Sequence, residues 1–292
     1  NCGKGEDRSG DLKACTACKL VKYCNRDCQI AHRPQHKRAC KKRAAELHDE
    51  QLFKEHPREE CPICMLPTPL YENHTGTTFF SCCGKDICNG CIYAMRETGG
   101  KKMKLCPFCK TPCAESDEDE VKRVKKLMEK GNAGAFCQHA GYYALGMMDL
   151  PQGEAKANEL CLKAGELGSA DAYYNLGNTY RLGRGVEVDK KKAKHYYELA
   201  AMSGSVKARH NLGSFDGRAG NKSRAVKHYM IAVGFGCTDS LGMIKKMFTN
   251  GYATKEDYTK ALQAYQSYLD EIKSPQRDEA AAFDERYKYY EE

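Results

Sequence analysis

Two small cysteine-organised units followed by an all-α solenoid of stacked helix pairs is the fold class that this 292-residue sequence predicts. Three observations lead there. Of the 18 cysteines, fifteen lie between Cys2 and Cys113, leaving Cys137, Cys161 and Cys237 for the rest of the chain. The cysteine-rich segments hold too few apolar residues to build a core, and folds below about 40 residues usually need metals or disulfides to be stable alone. From Ala135 onward, small residues recur at nearly fixed spacing: Gly168, Gly204 and Gly236 lie 36 and 32 residues apart.

The first unit contains the stretch CTACKLVKYCNRDCQIAHRPQHKRAC, Cys15 to Cys40. Its pairs are Cys15-x-x-Cys18, Cys24-x-x-x-Cys28 and His36-x-x-x-Cys40. Two cysteines three positions apart bend around one ion in a tight turn, and a histidine and cysteine four apart share one face of a helical turn. Pro34 makes that closing helix short or distorted on this reading. Disulfides are the competing explanation, but a run closing on His-x-x-x-Cys, with odd cysteines left over in the rear, has the ligand pattern. His32 lies off the ligand spacing and reads as a solvated helix residue.

The pattern resembles a MYND finger over residues 1–40, lacking only that family's first cysteine, which would lie three positions before Cys2. The chain starts at Asn1 rather than Met and reads as a fragment or trimmed chain. The resemblance implies two interleaved zinc sites: Cys15, Cys18, His36 and Cys40 on one ion, and Cys2, Cys24 and Cys28 on another that is one ligand short. It also implies a surface for short proline-containing peptides, although Arg33 stands where many members carry tryptophan. Each structural zinc supplies roughly 10–16 kcal/mol of folding free energy, which replaces the missing core.

Residues 41–60, KKRAAELHDEQLFKEHPREE, read as a charged linker helix ending at Pro57, and KRACKKR has the look of a nuclear localisation cluster. Residues 61–113 form the second unit, with CPIC at 61–64, FSCCGKDICNGC at 80–91 and CPFC at 106–109. Spaced pairs around a cysteine-rich middle resemble a RING finger. Lys85 occupies the usual histidine ligand position, so the unit resembles an all-cysteine variant. The resemblance implies one zinc on Cys61, Cys64, Cys88 and Cys91, and another on Cys82, Cys83, Cys106 and Cys109. Adjacent ligands are sterically awkward, so His74 stands as the alternative to Cys82; Cys113 is a spare thiol. About four zinc ions follow in all. The resemblance further implies ubiquitin ligase activity without a covalent catalytic residue of its own, a conjugating enzyme being contacted through Ile63, Pro107 and Lys110. The plainer reading is that Ile63 and Pro107 only pack the zinc-binding turns.

Residues 114–133 are an acidic linker and helix, with Val121, Val124, Leu127 and Met128 on one stripe. In residues 134–274, Ala157, Ala193 and Ala225 fall 11 residues before the recurring glycines, and Ala164, Ala200 and Ala232 fall four before them. Small residues let paired helices approach, and glycine ends each second helix. The segment NLGNTYRLGRGVEVDKKKAKHYYELAAMSG resembles Sel-1-like repeats, relatives of tetratricopeptide repeats, which implies a scaffold holding a client protein in a concave groove. Tyr173, Tyr174, Tyr180, Tyr196, Tyr197 and Tyr229 are chiefly inter-helix packing. Residues 275–292 form a helical tail, with Phe283 and Tyr287 placed to cap the array.

The formal charge of +8 counts cysteines as neutral; zinc thiolates at four sites bring it to about +2. That balance, with no basic stripe interleaved with aromatics, argues against nucleic acid as a partner. No apolar run approaches the roughly 20 residues of a membrane span, and an intracellular place, cytoplasmic and/or nuclear, is expected. The function expected is zinc-dependent protein interaction as a RING-type ligase whose repeats select a substrate; a non-catalytic adaptor joining partners through the same modules is the alternative.

Overall fold

The computed structural model describes residues 13–23, 26–70, 76–99 and 105–290. The chain divides into two compact units, residues 1–54 and 55–292.

In the first unit, β1 (Lys13–Ala14) pairs antiparallel with β2 (Lys22–Tyr23), and α1 (Arg26–Leu52) follows. The sequence predicts a short or distorted closing helix and a separate linker helix over 41–60. Instead α1 is one 27-residue helix that passes through Pro34 and ends at Leu52. A proline removes one helical hydrogen bond, but this turn is held on both sides. His32 Nδ1 lies 3.1 Å from the Tyr23 hydroxyl, and His36 and Cys40 converge on Cys18 and Cys15. Beyond Cys40 the sequence is made of good helix formers, and Arg43 pairs with Glu46 and Glu50 at 3.2 and 2.8 Å.

The second unit opens with an extended segment. Arg58 pairs with Glu271, donates to the Gly234 carbonyl at 2.7 Å and lies over the rings of Phe235 and Tyr268. A hairpin of β3 (Thr77–Phe80) and β4 (Lys85–Cys88) then leads into α2 (Asn89–Gly99). Helix α3 (Asp117–Glu129) starts at Ser116, whose side chain accepts from the Asp119 amide, and carries four acids in its first turn, where the helix dipole favours them. Its buried Val121 and Val124, with Leu127 and Met128, pack on Ala135, Tyr142 and Phe79, so the expected stripe is a docking face.

Four helix pairs follow: α4 (Ala133–Leu145) with α5 (Glu154–Glu166), α6 (Ala170–Leu182) with α7 (Lys190–Met202), α8 (Val206–Arg218) with α9 (Lys222–Gly234), and α10 (Thr238–Thr249) with α11 (Lys255–Ile272). Asn132, Ser169 and Ser205 cap α4, α6 and α8 in the same way, each accepting from the amide three residues on. The six alanines singled out by spacing are all buried. Gly168, Gly204 and Gly236 take φ of 100°, 101° and 89°, the left-handed region that L side chains avoid. Within the helices, Gly165, Gly177 and Gly213 carry the rings of Tyr173, Tyr197 and Tyr229, whose carbons lie 2.4–2.6 Å from where a Cβ would stand. Tyr173, Tyr197 and Tyr229 are therefore packed ring on glycine. Finally α12 (Pro275–Phe283) turns back onto α2, where Tyr93 meets Phe283 at 5.3 Å between ring centres and Arg96 donates to the Tyr287 hydroxyl at 2.9 Å. The tail thus covers the zinc-unit helix, while Tyr289 packs with Tyr268 and Ile272 of α11.

Candidate metal centres

Three turns in the chain share one geometry. The Cys15, Cys61 and Cys106 carbonyls each accept from the amide four residues on, at 2.9–3.0 Å. The same cysteines' amides donate to Val21, Leu66 and Thr111 at 2.8–3.0 Å. The residue just after each second cysteine, Lys19, Met65 and Lys110, takes φ near 60°. That left-handed residue swings both thiols of a C-x-x-C pair to one side, which a regular helix or strand cannot do.

Among the described residues these turns join three clusters: Cys15, Cys18, His36 and Cys40; Cys61, Cys64, Cys88 and Cys91; and Cys82, Cys83, Cys106 and Cys109. In each, all four donor atoms lie within 4.8 Å of one another. Cys61–Cys91 and Cys64–Cys88 stand 3.9 and 3.8 Å apart. Cys83–Cys106 and Cys82–Cys109 stand 3.8 and 3.4 Å apart. Cys15–Cys40 is 3.7 Å, and Cys18 Sγ lies 3.2 Å from His36 Nε2. Four sulfurs at about 2.3 Å from a tetrahedral zinc stand about 3.8 Å apart, whereas a disulfide brings two sulfurs to about 2.05 Å. The donor sets fit zinc, and four protein ligands make closed sites, which stabilise a fold and leave no position for a substrate.

The electrostatics agree. Without a cation, four crowded thiols cannot ionise together, so their protons divide unequally. A backbone hydrogen bond at Cys18 draws Cys15 down to about 6, while burial pushes Cys40 up to about 11. Hydrogen bonds from Cys88 and Cys91 hold Cys61 far below the usual thiol range, and Cys91 rises correspondingly. A dication removes the conflict by stabilising every thiolate.

Cys82 and Cys83 reach one cluster despite being adjacent, because they sit in the tight turn between β3 and β4, where the Gly84 amide donates to Phe80 O at 2.8 Å. Gly84 has φ of 68°, and a Cβ there would stand 2.6 Å from Asn132 Nδ2. Cys2, Cys24 and His74 lie outside the described residues. Cys28 packs beside Cys15, Cys18 and Tyr23. Cys113 joins none of the three clusters. His32, read from sequence as a solvated residue, instead bonds Tyr23 and stacks on His36 at 5.6 Å.

Around the second and third clusters, Ile63 is 40% exposed, Pro107 is buried, and Lys110 Nζ donates back to the Pro107 carbonyl at 2.9 Å. Sequence reasoning passed over Met65 and Phe108, which are 64% and 44% exposed. The signal was present: the apolar residue just before the second cysteine of each pair, Ile63 or Phe108, turns outward when the thiols turn inward, as Met65 does after Cys64.

The fold and these centres define a zinc-finger protein with a helical repeat array, and comparison with known proteins specifies the modules. The MYND finger family matches residues 1–40, and the Sel1 repeat family matches residues 138–169 and 170–205. Over 76 residues the chain is 38% identical to the E3 ubiquitin-protein ligase DA2 of Arabidopsis thaliana, covering 26% of this chain and 17% of that protein. Over 54 residues it is 43% identical to the E3 ubiquitin-protein ligase GW2 of Oryza sativa subsp. indica, covering 18% of this chain and 11% of that protein. The chain therefore spans less than a fifth of the length of these relatives. Among solved structures, a Sel1 repeat protein from Oxalobacter formigenes matches with a TM-score of 0.46 at 20% identity, over 67% of this chain and 72% of that one. The uropathogenic Escherichia coli antigen c5321, of SLR fold, matches with a TM-score of 0.47 at 20% identity, over 68% and 41%. The chain carries a MYND finger and Sel1 repeats, and its cysteine clusters fit zinc. Among the described residues no helix is long and apolar enough to cross a membrane.

Proposed function

We propose that residues 61–113 are a RING-type ubiquitin ligase module and that the Sel1 repeats present its substrate. The observation that carries this reading is the outward-facing pair Ile63 and Phe108, one on each of two matching zinc turns, with Met65 beside Ile63. Apolar side chains of this size cost solvation unless a partner covers them, and zinc fixes the turns that present them. Pro107 stiffens the second turn from a buried position. The ligase names of DA2 and GW2 support the reading. We assign the zinc ligands as Cys15, Cys18, His36 and Cys40; Cys61, Cys64, Cys88 and Cys91; and Cys82, Cys83, Cys106 and Cys109. Cys2, Cys24 and Cys28 hold a fourth ion in the same reading. The client's seat is the cavity of about 640 Å³ between the zinc hairpin and the N-terminal ends of α4, α6 and α8. A proline-containing peptide would bind the first unit in its groove of about 600 Å³ lined by Tyr23, Gln29, Ile30 and Arg33.

One observation favours the adaptor reading instead. Lys110, where active relatives of the RING type often carry an arginine, is engaged with its own turn and lacks the planar fork that grips a carbonyl. Autoubiquitination with a panel of conjugating enzymes separates the two. Ligase function predicts activity that Ile63→Ala and Phe108→Ala abolish at unchanged zinc content; silence across the panel favours the adaptor.

A further inference from the structure

The C-terminal helix carries an arginine that is almost wholly buried and has no acidic partner. Arg277 is 2% exposed. Its Nη1 donates to the Ile272 carbonyl at 2.7 Å, and its Nη2 lies 3.7 Å from Cys64 Sγ. Its Nε has no partner, and among the described residues no carboxylate pairs with it. Burying a charge without an opposite charge is strongly unfavourable, so a counter-anion must be near. Among the described residues the candidate that Arg277 touches is the sulfur cluster.

The surroundings are shaped for that contact. Gly90, between Cys88 and Cys91, lies directly under Arg277: a Cβ there would stand 2.7 Å from Arg277 Cγ and 3.1 Å from its Cα. The neighbouring Gln276 Oε1 stands 4.0 Å from Cys91 Sγ, accepting from that thiol. Two consecutive side chains from the first turn of α12 thus reach two sulfurs of one cluster, from 213 and 185 positions away in sequence. The N-terminus of α12, capped by Ser274, adds the positive end of its dipole. A four-thiolate zinc carries a net charge of about −2, and the guanidinium and helix end oppose it.

We propose that Arg277 is the buried counter-charge of the zinc–thiolate centre of Cys61, Cys64, Cys88 and Cys91, so that the C-terminal helix forms part of that metal site. The proposal rests on the zinc reading of this cluster. Arg277 is a positioning residue: it binds no metal, but its contact with Cys64 Sγ fixes the orientation of that ligand, as groups behind the ligands do elsewhere. The linkage runs both ways. Zinc holds α12 against α2, and loss of zinc removes the full thiolate charge that the buried guanidinium faces.

The test uses the full chain. Zinc transfer to excess chromophoric chelator is followed for wild type, Arg277→Met, Arg277→Lys and Arg277→Gln, alongside the thiolate-to-metal charge-transfer bands after cobalt(II) substitution. Arg277→Met and Arg277→Gln should release one zinc at least about tenfold faster, leave the other ions at wild-type rates, and shift part of the cobalt band to longer wavelength as the thiolate electrons lose their neighbouring cation. Arg277→Lys, which keeps the charge, should hold the band near its wild-type position. Unchanged release and an unmoved band in the neutral variants would overturn the proposal, as would equal acceleration in all three variants with no band shift, which marks packing alone. Wild-type protein without metal at this centre would refute the underlying zinc reading instead. If Arg277→Met does not fold, Arg277→Gln gives the same comparison with a polar side chain.

Discussion

The backbone amide of Leu70 donates to the Tyr268 hydroxyl at 2.7 Å, tying the first loop of the zinc-binding hairpin region to the last repeat helix. Tyr268 is 2% exposed, and its ring also lies against Gly236, where a Cβ would stand 2.2 Å from a ring carbon. Removing the hydroxyl strands the Leu70 amide, so Tyr268→Phe should cost about 1–2 kcal/mol. Chemical denaturation followed by far-ultraviolet dichroism should show a lower midpoint at an unchanged slope.

Tyr197 lies on Gly177 across the α6–α7 pair. A methyl group at Gly177 would stand 2.5 Å from two ring carbons of a tyrosine with no exposed surface. The ring is also pinned at its hydroxyl, which donates to Asn178 Oδ1 at 2.7 Å and accepts from Arg181 Nε at 3.0 Å. The ring cannot move aside without breaking both bonds. Gly177→Ala is therefore expected to cost about 1–3 kcal/mol by overpacking, although alanine is the better helix former. A thermal melt of that variant above wild type would contradict this packing.

Asp216 supplies a pH signature for the repeats. It is 1% exposed, and burial alone would raise its pKa, but His228 beside it at 3.6 Å and hydrogen bonds from Lys194 and Arg224 hold it far below the ordinary carboxylate range. Its folded pKa being depressed, the stabilisation is complete above the unfolded value of about 4 and is lost as pH falls below that value toward the folded one. The stability difference between wild type and Asp216→Asn should therefore be constant from pH 7 to about pH 5 and shrink below about pH 4. At neutral pH the substitution should be destabilising, because it takes the buried anion away from Lys194 and Arg224, whose own side chains stay partly solvated. Urea unfolding of the repeat helices at stepped pH measures both.

What was legible in the sequence followed from local geometry. A C-x-x-C pair reports its own turn, and alanines and glycines at repeat spacing report helices in close approach. The repeat tyrosines are packing for the same reason. Less legible was whatever depends on distant residues. Pro34 reads as a helix breaker by propensity, yet contacts from Tyr23, Cys15 and Cys18 hold α1 intact around it. Arg277 sits in an unremarkable SPQRDE segment, and nothing local announces a sulfur cluster more than 200 residues earlier. Lys110 keeps the expected position but turns its ammonium back to the Pro107 carbonyl.

The zinc-binding hairpin and the repeats share Glu120, which accepts from the Ser81 hydroxyl at 2.5 Å and the Tyr142 hydroxyl at 3.0 Å. Glu120→Gln should weaken this joint without disturbing zinc content. Amide exchange is expected to accelerate at Phe79–Gly84 and at the start of α4, and to stay at wild-type rates in α8 and α9.

Chelation, with hardly any hydrophobic core, is what holds the cysteine-rich segments together. Exhaustive treatment with a strong chelator under reducing conditions, followed by residue-resolved amide NMR, tests this most directly. Signals from residues 13–40, 61–70 and 76–113 should collapse toward random-coil positions, while those of α6 to α9 keep their dispersion. Unchanged signals from the cysteine clusters after complete zinc removal would contradict the account.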